Sequence, residues 1–471
     1  MKKIHNIKTG HKPSTTIKYW ISICVLLTCC FGSCKKYLDL KPDQKEAVPS
    51  TLADCQALLD NLIDMNFGFC TTDASADDHY LTYADWQTLG SQPMDGYIWK
   101  ANADVSASTW GTTYQTVLYA NQALQTLGTI PVNAGNQGTW NDIKGEALFF
   151  RAFSFYFVAQ VWAQPYHAAT AGTDLGIPLR LTPDISVKTV RSTVQQTYNQ
   201  IIQDLNTAVT LLPDTLPNSI INKSRPCKTA AYAALARVYL TMGDYANAAI
   251  NANACLQRYG TLIDFNTLKP TASHPLARFN AETIFFGSSS ELGLAYNIAK
   301  VDSNLHASYA SNDLRLTCFF GKNTGANAGT FVFKGGYTGS VSNSPFCGLA
   351  TDEQYLIRAE CYARAGDASN AMADLNTLLS NRWVSGTYTN MTATDASDAL
   401  AKILVERRKE LLFRGLRWTD LRRLNTDARF AITLTRVLNG TTYTLPPNDL
   451  RYTLLIPQDV ILREPMPQNP R

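Results

Sequence analysis

Apolar residues recur at helical spacing in two segments of the chain that lie 123 residues apart. The first segment places them at steps of four, three and four: Tyr232, Ala236, Tyr239 and Gly243. The second segment repeats the order and the steps: Tyr355, Ala359, Tyr362 and Gly366. Residues at such steps lie on one face of a helix, and the small alanine on that face lets a neighbouring helix approach. Each segment therefore predicts a helix that ends at its glycine, because glycine suits a left-handed backbone.

An aspartate follows each of these glycines and predicts that a second helix begins directly afterwards. Asp244 and Asp367 are suited to cap helices that begin near Asn247 and Asn370. Two antiparallel helices joined by a tight turn resemble tetratricopeptide repeats, which occupy about 34 residues. The copies here lie much farther apart. The pattern therefore predicts scattered helix pairs with large loop insertions and not a continuous solenoid.

A weaker third copy predicts further helices before these two pairs. Arg151 and Ala152 match Arg358 and Ala359 at a shift of 207 residues. Another helix pair can begin at Trp110, where apolar residues again follow at helical spacing. Because each arginine directly precedes a packing alanine, we expect both arginines to form hydrogen bonds between helices and not to contact a ligand.

Two long stretches interrupt the helical pattern and carry many of the aromatic residues. Residues 66–110 and 284–345 keep no long helical period, so we expect loops with short strands or helices. Long loops on a rigid helical base are where binding usually occurs.

The N-terminus has the pattern of an export signal. Five lysines precede residue 34 without any Asp or Glu, and an apolar stretch leads to small residues before Cys34. This stretch is too short for a membrane span of about 20 residues. The sequence Phe-Gly-Ser-Cys at 31–34 resembles a bacterial lipobox, which implies cleavage after Ser33 and a diacylglycerol on the sulfur of Cys34. We therefore predict a signal peptide at 1–33 and a lipid anchor at Cys34.

Removal of the signal changes the charge of the protein. The full chain has 42 Lys and Arg against 38 Asp and Glu, a formal net charge of +4. Without the five signal lysines the basic count falls to 37 and the net charge to −1. This balance lacks the basic excess that nucleic-acid binding requires, so we expect no nucleic-acid partner.

The sequence contains no catalytic or metal-binding motif that we can identify. Seven cysteines follow Cys34 without a CxxC pair, and the six histidines form no HxxxH pair. Asp77-Asp78 invites comparison with the two carboxylates of glycosidases, but adjacent side chains diverge and a polar loop turn explains them better. We expect no enzyme activity, no metal and no cofactor.

Several segments, taken in order, resemble the SusD/RagB family of outer-membrane nutrient-binding lipoproteins of Bacteroidetes. The resemblance starts at the Cys34 signal and covers essentially the whole chain. Its motifs are EALFFRA at 146–152, YLIRAE at 355–360, ILVERRKEL at 403–411, GLRWTDLRR at 415–423, LIP at 455–457 and QNP at 468–470.

This resemblance implies an all-α fold of about four tetratricopeptide-like helix pairs, with a loop-rich half that carries much of the ligand surface. It implies one domain at 34–471, with helix pairs at 34–270, a loop-rich insertion at 271–350 and a last helix pair with a tail at 351–471. Members of the family sit on the cell surface over a SusC-like TonB-dependent β-barrel transporter. They capture oligosaccharides, or in some members peptides, and pass them to the barrel; they are not enzymes.

The charged residues of these motifs fit two interpretations, a catalytic or anion-binding cluster and a structural network. They lie on one predicted helix and just beyond its end: Glu406, Arg407, Arg408, Glu410, Arg414 and Arg417. We expect the second, a charged network that clamps loops.

Sugar recognition requires flat rings that stack on pyranoses, with amides and carboxylates for the hydroxyl groups. The candidate rings are Trp86, Tyr97, Trp99, Tyr296 and Tyr309. The candidate polar contacts are Asp78, Asn297 and Asn312. A second hypothesis remains, a helical-repeat adaptor on the outer membrane that binds another protein without a small ligand, and in that case the rings belong to the core.

Overall fold

Helices form most of the structure, a computed structural model that describes residues 49–103, 107–215, 218–219, 223–291, 298–339 and 345–471. The predicted signal peptide and the predicted lipid attachment at Cys34 lie outside these residues. The helices that follow are α1 (Leu52–Leu59), α2 (Leu62–Asn66), α3 (Tyr83–Gln87), α4 (Ser91–Tyr97), α5 (Ala107–Leu127), α6 (Gln137–Trp162), α7 (Val194–Leu211), α8 (Lys228–Met242), α9 (Tyr245–Arg258), α10 (Ser303–Ala307), α11 (Arg315–Cys318), α12 (Thr351–Arg364), α13 (Ala368–Ser380), α14 (Ala396–Glu410), α15 (Arg417–Leu424) and α16 (Gln458–Arg463). None of these helices has the length and hydrophobicity needed to cross a membrane.

Short strands pair in twos beside the helices. They are β1 (Phe67–Thr71), β2 (His79–Tyr80), β3 (Leu175–Pro178), β4 (Arg191–Thr193), β5 (Thr283–Phe285), β6 (Ser288–Glu291), β7 (Lys300–Val301), β8 (Phe320–Lys322), β9 (Phe331–Phe333), β10 (Leu349–Ala350), β11 (Leu434–Leu438) and β12 (Thr441–Leu445). β1 pairs with β6 in parallel, and the pairs β2–β7, β3–β4, β5–β10, β8–β9 and β11–β12 are antiparallel. The β1–β6 and β2–β7 pairs join the two aromatic-rich stretches to each other. The prediction of short strands and helices in those stretches is confirmed.

The repeated pattern forms two helix pairs, α8 with α9 and α12 with α13. The turn of each pair contains a glycine in the left-handed region, Gly243 at φ 76° and Gly366 at φ 87°. The following aspartate caps the next helix, since the Asp244 carboxylate accepts the backbone N–H of Asn247 at 3.1 Å. Asp367 does the same at 3.0 Å. The predicted helix–turn–helix units are therefore confirmed, although each second helix begins two residues earlier than the spacing indicated.

The long helices pack against one another in chain order. Each of α5 to α8 packs on the next helix, α9 packs on α12, and α12 packs on α13 and α14. Residues 259–350 leave this array after α9 and return to it at α12. The predicted fold class, helical with tetratricopeptide-like pairs and long insertions, is confirmed.

Helix α6 forms the centre of the array. All of its residues from Gly145 to Trp162 are buried, as expected of a helix that is covered on every side. The Arg151 guanidinium in α6 donates to Asp204 in α7 at 2.8 Å and to Asn121 in α5 at 3.0 Å. The predicted role of Arg151 between helices is confirmed.

Arg358 has the same role in the last helix pair. Its guanidinium donates from α12 to Asp374 in α13 at 2.7 and 2.8 Å and to Asn253 in α9 at 2.8 Å. The equivalent positions of the repeat thus share a function as well as a sequence.

Helix α14 anchors a buried ionic network. Arg315 donates to Glu406 at 2.6 Å and to Glu410 at 3.0 Å. Arg382 joins Glu410 at 2.8 Å to Glu282 at 2.7 Å. These side chains are at most 6% exposed, so each charge depends on its partners for stabilisation.

The network continues beyond α14 through the remaining charged residues of the family motifs. Arg414 binds Asp352 at 2.8 Å, and Arg407 binds Asp420 at 2.9 Å. Arg423 then joins Asp420 to Glu360. The predicted structural network is therefore confirmed, because its partners come from loops and helices far away in the sequence.

Glu146 joins the first helix to the central one. Its carboxylate accepts the Gln56 amide of α1 at 3.0 Å, and the side chain is almost fully buried. Burial raises the pKa of Glu146 to about 7, against a smaller opposing effect of the Gln56 hydrogen bond. The carboxyl group therefore holds its proton in the folded state at a pH where the unfolded chain has lost it.

Substitution of Gly366 tests the left-handed turn. Gly366→Ala destabilises the protein by about 1 kcal/mol, because the left-handed conformation is unfavourable for a residue with a Cβ. Gly138→Ala is the matched control, since its Cβ also meets open space but lies in the first turn of α6. The control leaves the urea midpoint unchanged or slightly higher. Equal loss in both variants would contradict the assignment of the turn.

Substitution of Glu146 tests the buried carboxyl group. A raised folded-state pKa means that the folded protein binds the extra proton, so stability falls as pH rises from about 4.3 to about 7. Glu146→Gln removes this loss and stabilises the protein at pH 8 by on the order of 3 kcal/mol. Urea unfolding at pH 5 and pH 8 measures the effect. If the variant and the parent chain lose stability in parallel over this range, the raised pKa is wrong.

Candidate ligand-binding cleft

A cleft of about 190 Å³ lies where the two aromatic-rich stretches meet the β11–β12 hairpin. The β2 region contributes one wall, and the end of α4 with the residues after it contributes another. Residues 434–437 of β11 close the third side. The residues that line the cleft include Asp77, His79, Tyr80, Tyr97, Trp99 and Arg436.

Arg436 fixes two walls of the cleft to each other. The alternation of buried and exposed residues along β11 places this side chain inward, where only 7% of the residue is exposed. Its guanidinium donates to the carbonyls of Tyr97, Ala74 and Ala76. It also lies 3.6 Å from the ring centroid of Tyr97 and 4.5 Å from that of Trp99. Burial lowers the pKa of Arg436 to about 10, so the side chain remains charged at neutral pH.

His79 lies on β2 between two aromatic rings. Its imidazole is 5.8 Å from the ring centroid of Tyr97 and 6.1 Å from that of Phe413. Burial and the positive charge of Arg436 lower the pKa of His79 well below its usual value. Neither ring nitrogen has a hydrogen-bond partner among the residues that the structure describes. A neutral imidazole offers one donor and one acceptor. It can therefore pair with a hydroxyl group, which both donates and accepts hydrogen bonds.

Asp77 and Asp78 bind the two arginines that extend from α14 and α15. Arg417 holds Asp77 with two hydrogen bonds of 2.7 and 2.9 Å, and Arg408 holds Asp78 at 2.9 Å. Burial disfavours the ionised form of Asp77, but Arg417 and Arg408 outweigh it and keep its pKa well below the usual range. Burial raises the pKa of Asp78. The chief contacts of Asp78 are thus internal, and its predicted contact with a sugar stays a prediction.

Tyr97, Trp99 and Tyr309 make packing contacts. Tyr97 and Trp99 are each 4% exposed, and Arg436 lies over both rings. The indole N–H of Trp99 donates to the Ser75 carbonyl at 2.9 Å. Tyr309 is 6% exposed, and its hydroxyl donates to a carbonyl of α14 at 2.7 Å. None of the three presents an open face to solvent, although the first two line the cleft.

The other predicted residues lie apart from the cleft lining. Tyr296 and Asn297 fall outside the described residues. Asn312 is exposed, and its backbone carbonyl accepts the N–H of Val384 at 3.0 Å. Tyr97 and Trp99 thus lie together in the cleft lining with Asp77 and His79, the two sequence neighbours of Asp78. Tyr309 and Asn312 are not among the residues that line the cleft.

Trp86 forms a half-exposed platform with a residue that the sequence analysis missed. Its ring stacks on Tyr83 with centroids 5.8 Å apart and planes at 29°. Its indole N–H donates to the Met94 carbonyl at 3.0 Å, which fixes the ring. Tyr83 is 38% exposed, more than any other aromatic residue in the described part of the chain. Tyr83 lies two residues after Leu81, which lines the cleft.

One group of carboxylates has the spacing of a metal site. Oxygen atoms of Glu282, Asp352 and Glu410 lie within 4.8 Å of one another, and all three residues are buried. Arg382 and Arg414 already bind these carboxylates. The arginines therefore supply the positive charge that a bound cation would supply.

Comparisons with known protein families and with individual proteins agree on one family. A family model described as "Starch-binding associating with outer membrane" matches residues 36–240, and a model of the SusD family matches residues 277–452. SusD-like protein P2 of Formosa agariphila is 25% identical over 381 residues, 69% of this chain and 72% of that protein.

Solved structures share the fold. A SusD superfamily protein of Bacteroides vulgatus is 23% identical with a TM-score of 0.71, over 90% of this chain and 99% of that one. Surface glycan-binding protein A of Bacteroides fluxus is 18% identical with a TM-score of 0.67, over 90% of this chain and 100% of that one. With the helix pairs and the charged motifs in place, the chain belongs to the SusD/RagB family.

Proposed function

We propose that the protein binds oligosaccharides at the Tyr83–Trp86 platform and the adjoining cleft. The observation that carries this proposal is the platform itself, a stacked and anchored pair that includes the most exposed aromatic ring of the described residues. Rigid rings of this kind suit the apolar faces of pyranoses and lose little conformational entropy on binding.

The charges around the cleft favour an uncharged ligand. Arg436 is bound by three backbone carbonyls, and Asp77 is neutralised by Arg417. His79 is neutral because its pKa is lowered by burial. Polar groups whose charges already have hydrogen-bond or ionic partners within the protein suit sugar hydroxyls better than a peptide terminus or a phosphate. The glycan-binding relative of Bacteroides fluxus supports the same class of ligand.

Membership of the family supports a proposal for the cellular role. We infer that Cys34 carries the lipid, that the protein is anchored on the outer face of the outer membrane, and that it delivers its ligand to a SusC-like TonB-dependent transporter. The family description as associating with the outer membrane supports this role. The role requires binding without turnover, so no product is released from a bound glycan.

Loss of the platform tests the proposal. The full chain in detergent is titrated by calorimetry with a panel of oligosaccharides and peptides. Tyr83→Ala and Trp86→Ala each weaken glycan binding about tenfold, because each removes an aromatic stacking surface. Trp140→Ala is the matched control, since Trp140 is also a half-buried tryptophan whose indole N–H donates to a backbone carbonyl, at 3.1 Å.

The panel separates the proposal from its alternatives. Glycan binding that survives both platform substitutions would place the site elsewhere. Binding of peptides alone would contradict the ligand class, and absence of all binding would favour the protein–protein adaptor. Release of shortened products from a bound glycan would contradict a purely binding role.

A further inference from the structure

A second, smaller polar cavity lies at the C-terminal end of α6. It has a volume of about 80 Å³ and is lined by residues that include Gln164, Asp174, Arg422, Asn425, Asp449 and Tyr452. These residues come from the turn after α6, from the end of α15 and from the segment before α16. None of them belongs to the cleft or to the platform.

Hydrogen-bonding groups without partners gather around this cavity. The two terminal nitrogens of Arg422 donate to carbonyls at the end of α6, Ala159 to Ala163. Within the described part of the chain, its Nε has no acceptor, and neither does the side-chain nitrogen of Gln164. Arg422 is only 5% exposed. Buried polar groups of this kind normally bind ordered water or a ligand.

Asn425 and Tyr452 add to this capacity. Among the described residues, neither the side-chain nitrogen of Asn425 nor the Tyr452 hydroxyl has a hydrogen-bond partner, and both residues are at least 96% buried. Asp174 supplies acceptor oxygens on the opposite wall, where the Thr170 hydroxyl already donates to one of them. The cavity thus offers donors and acceptors together.

The charges of the cavity are compensated within the protein. The carbonyls at the negative end of α6 surround the guanidinium of Arg422. The Asp449 carboxylate accepts two hydrogen bonds of 2.8 Å, from Nε and from a terminal nitrogen of Arg451. The negative end of the α6 dipole would repel an anion, and the guanidinium of Arg422 would repel a cation. The surroundings therefore favour an uncharged ligand.

The second cavity is separated from the cleft by one small aromatic cluster. Trp99 lines the cleft, Tyr452 lines the second cavity, and both pack in the same cluster as Trp418. The ring of Tyr452 lies 4.8 Å from that of Trp418. The two cavities thus adjoin the same cluster of side chains.

We propose that this cavity is a second carbohydrate subsite, which binds two adjacent hydroxyl groups at the edge of a sugar. The proposal deepens the proposed function and rests on it for the class of ligand. Two neighbouring hydroxyls can replace a pair of waters without loss of hydrogen bonds, because each one both donates and accepts. Arg422 and Gln164 donate to the hydroxyl oxygens, and Asp174 accepts from one hydroxyl hydrogen.

The minimal probe is glycerol, which carries adjacent hydroxyls, and the control probe is 1,3-propanediol, which does not. Saturation-transfer NMR on the full chain measures both dissociation constants. Glycerol binds more tightly than 1,3-propanediol. Gln164→Met and Asn425→Leu each weaken glycerol binding about tenfold, because each removes a polar group from the lining of the cavity. Gln137→Met, at an exposed position of α6, leaves glycerol binding unchanged.

Equal binding of the two probes, or glycerol binding that none of the cavity substitutions changes, would overturn the subsite. The same is true if neither probe binds, since the cavity then holds water only. Trp86→Ala distinguishes this result from failure of the main site. It reduces glycan binding at the platform and leaves glycerol binding intact. If glycans fail to bind and glycerol still responds to Gln164→Met, the proposed function fails and the diol site stands.

Discussion

Buried arginines that are neutralised by carboxylates from distant segments are the constraint on which this structure depends. Arg315 and Arg382 have no exposed surface, and each holds two or more acidic side chains. A buried ion pair contributes little net stability relative to apolar packing, but loss of one partner costs roughly 3–5 kcal/mol. The network therefore acts as a condition on the fold, since the distant segments must all be in place before every buried charge has its full set of partners.

The same constraint positions the ligand-binding surface. Arg408 and Arg417 extend from the network to Asp77 and Asp78, directly before β2. β2 supplies His79 and Tyr80 to the cleft and pairs with β7. The α3 helix with the Tyr83–Trp86 platform begins three residues later. A few ion pairs thus transmit the rigidity of the helical array to a surface built from loops.

Local features of the fold could be predicted from the sequence because they depend on near neighbours. The helix–turn–helix units at Gly243 and Gly366 could be predicted from the sequence. Their helix spacing, left-handed glycine and aspartate cap each depend on residues only a few positions apart. Burial of Tyr97 and Trp99 could not be predicted in this way. It depends on Arg436, more than 330 positions away. Tyr83 carried one usable signal, the capping box of Thr82 and Asp85, which starts a helix and places Tyr83 and Trp86 three residues apart on one face.

The most direct measurement is a structure of the full chain with a bound oligosaccharide. The account predicts one sugar ring stacked on Tyr83 and Trp86, with the next residue of the glycan directed into the cleft beside His79. The arginine–carboxylate pairs at Asp77 and Asp78 stay intact in the complex. A glycan bound away from both the platform and the cleft, or one that displaces Arg417 from Asp77, would contradict the account.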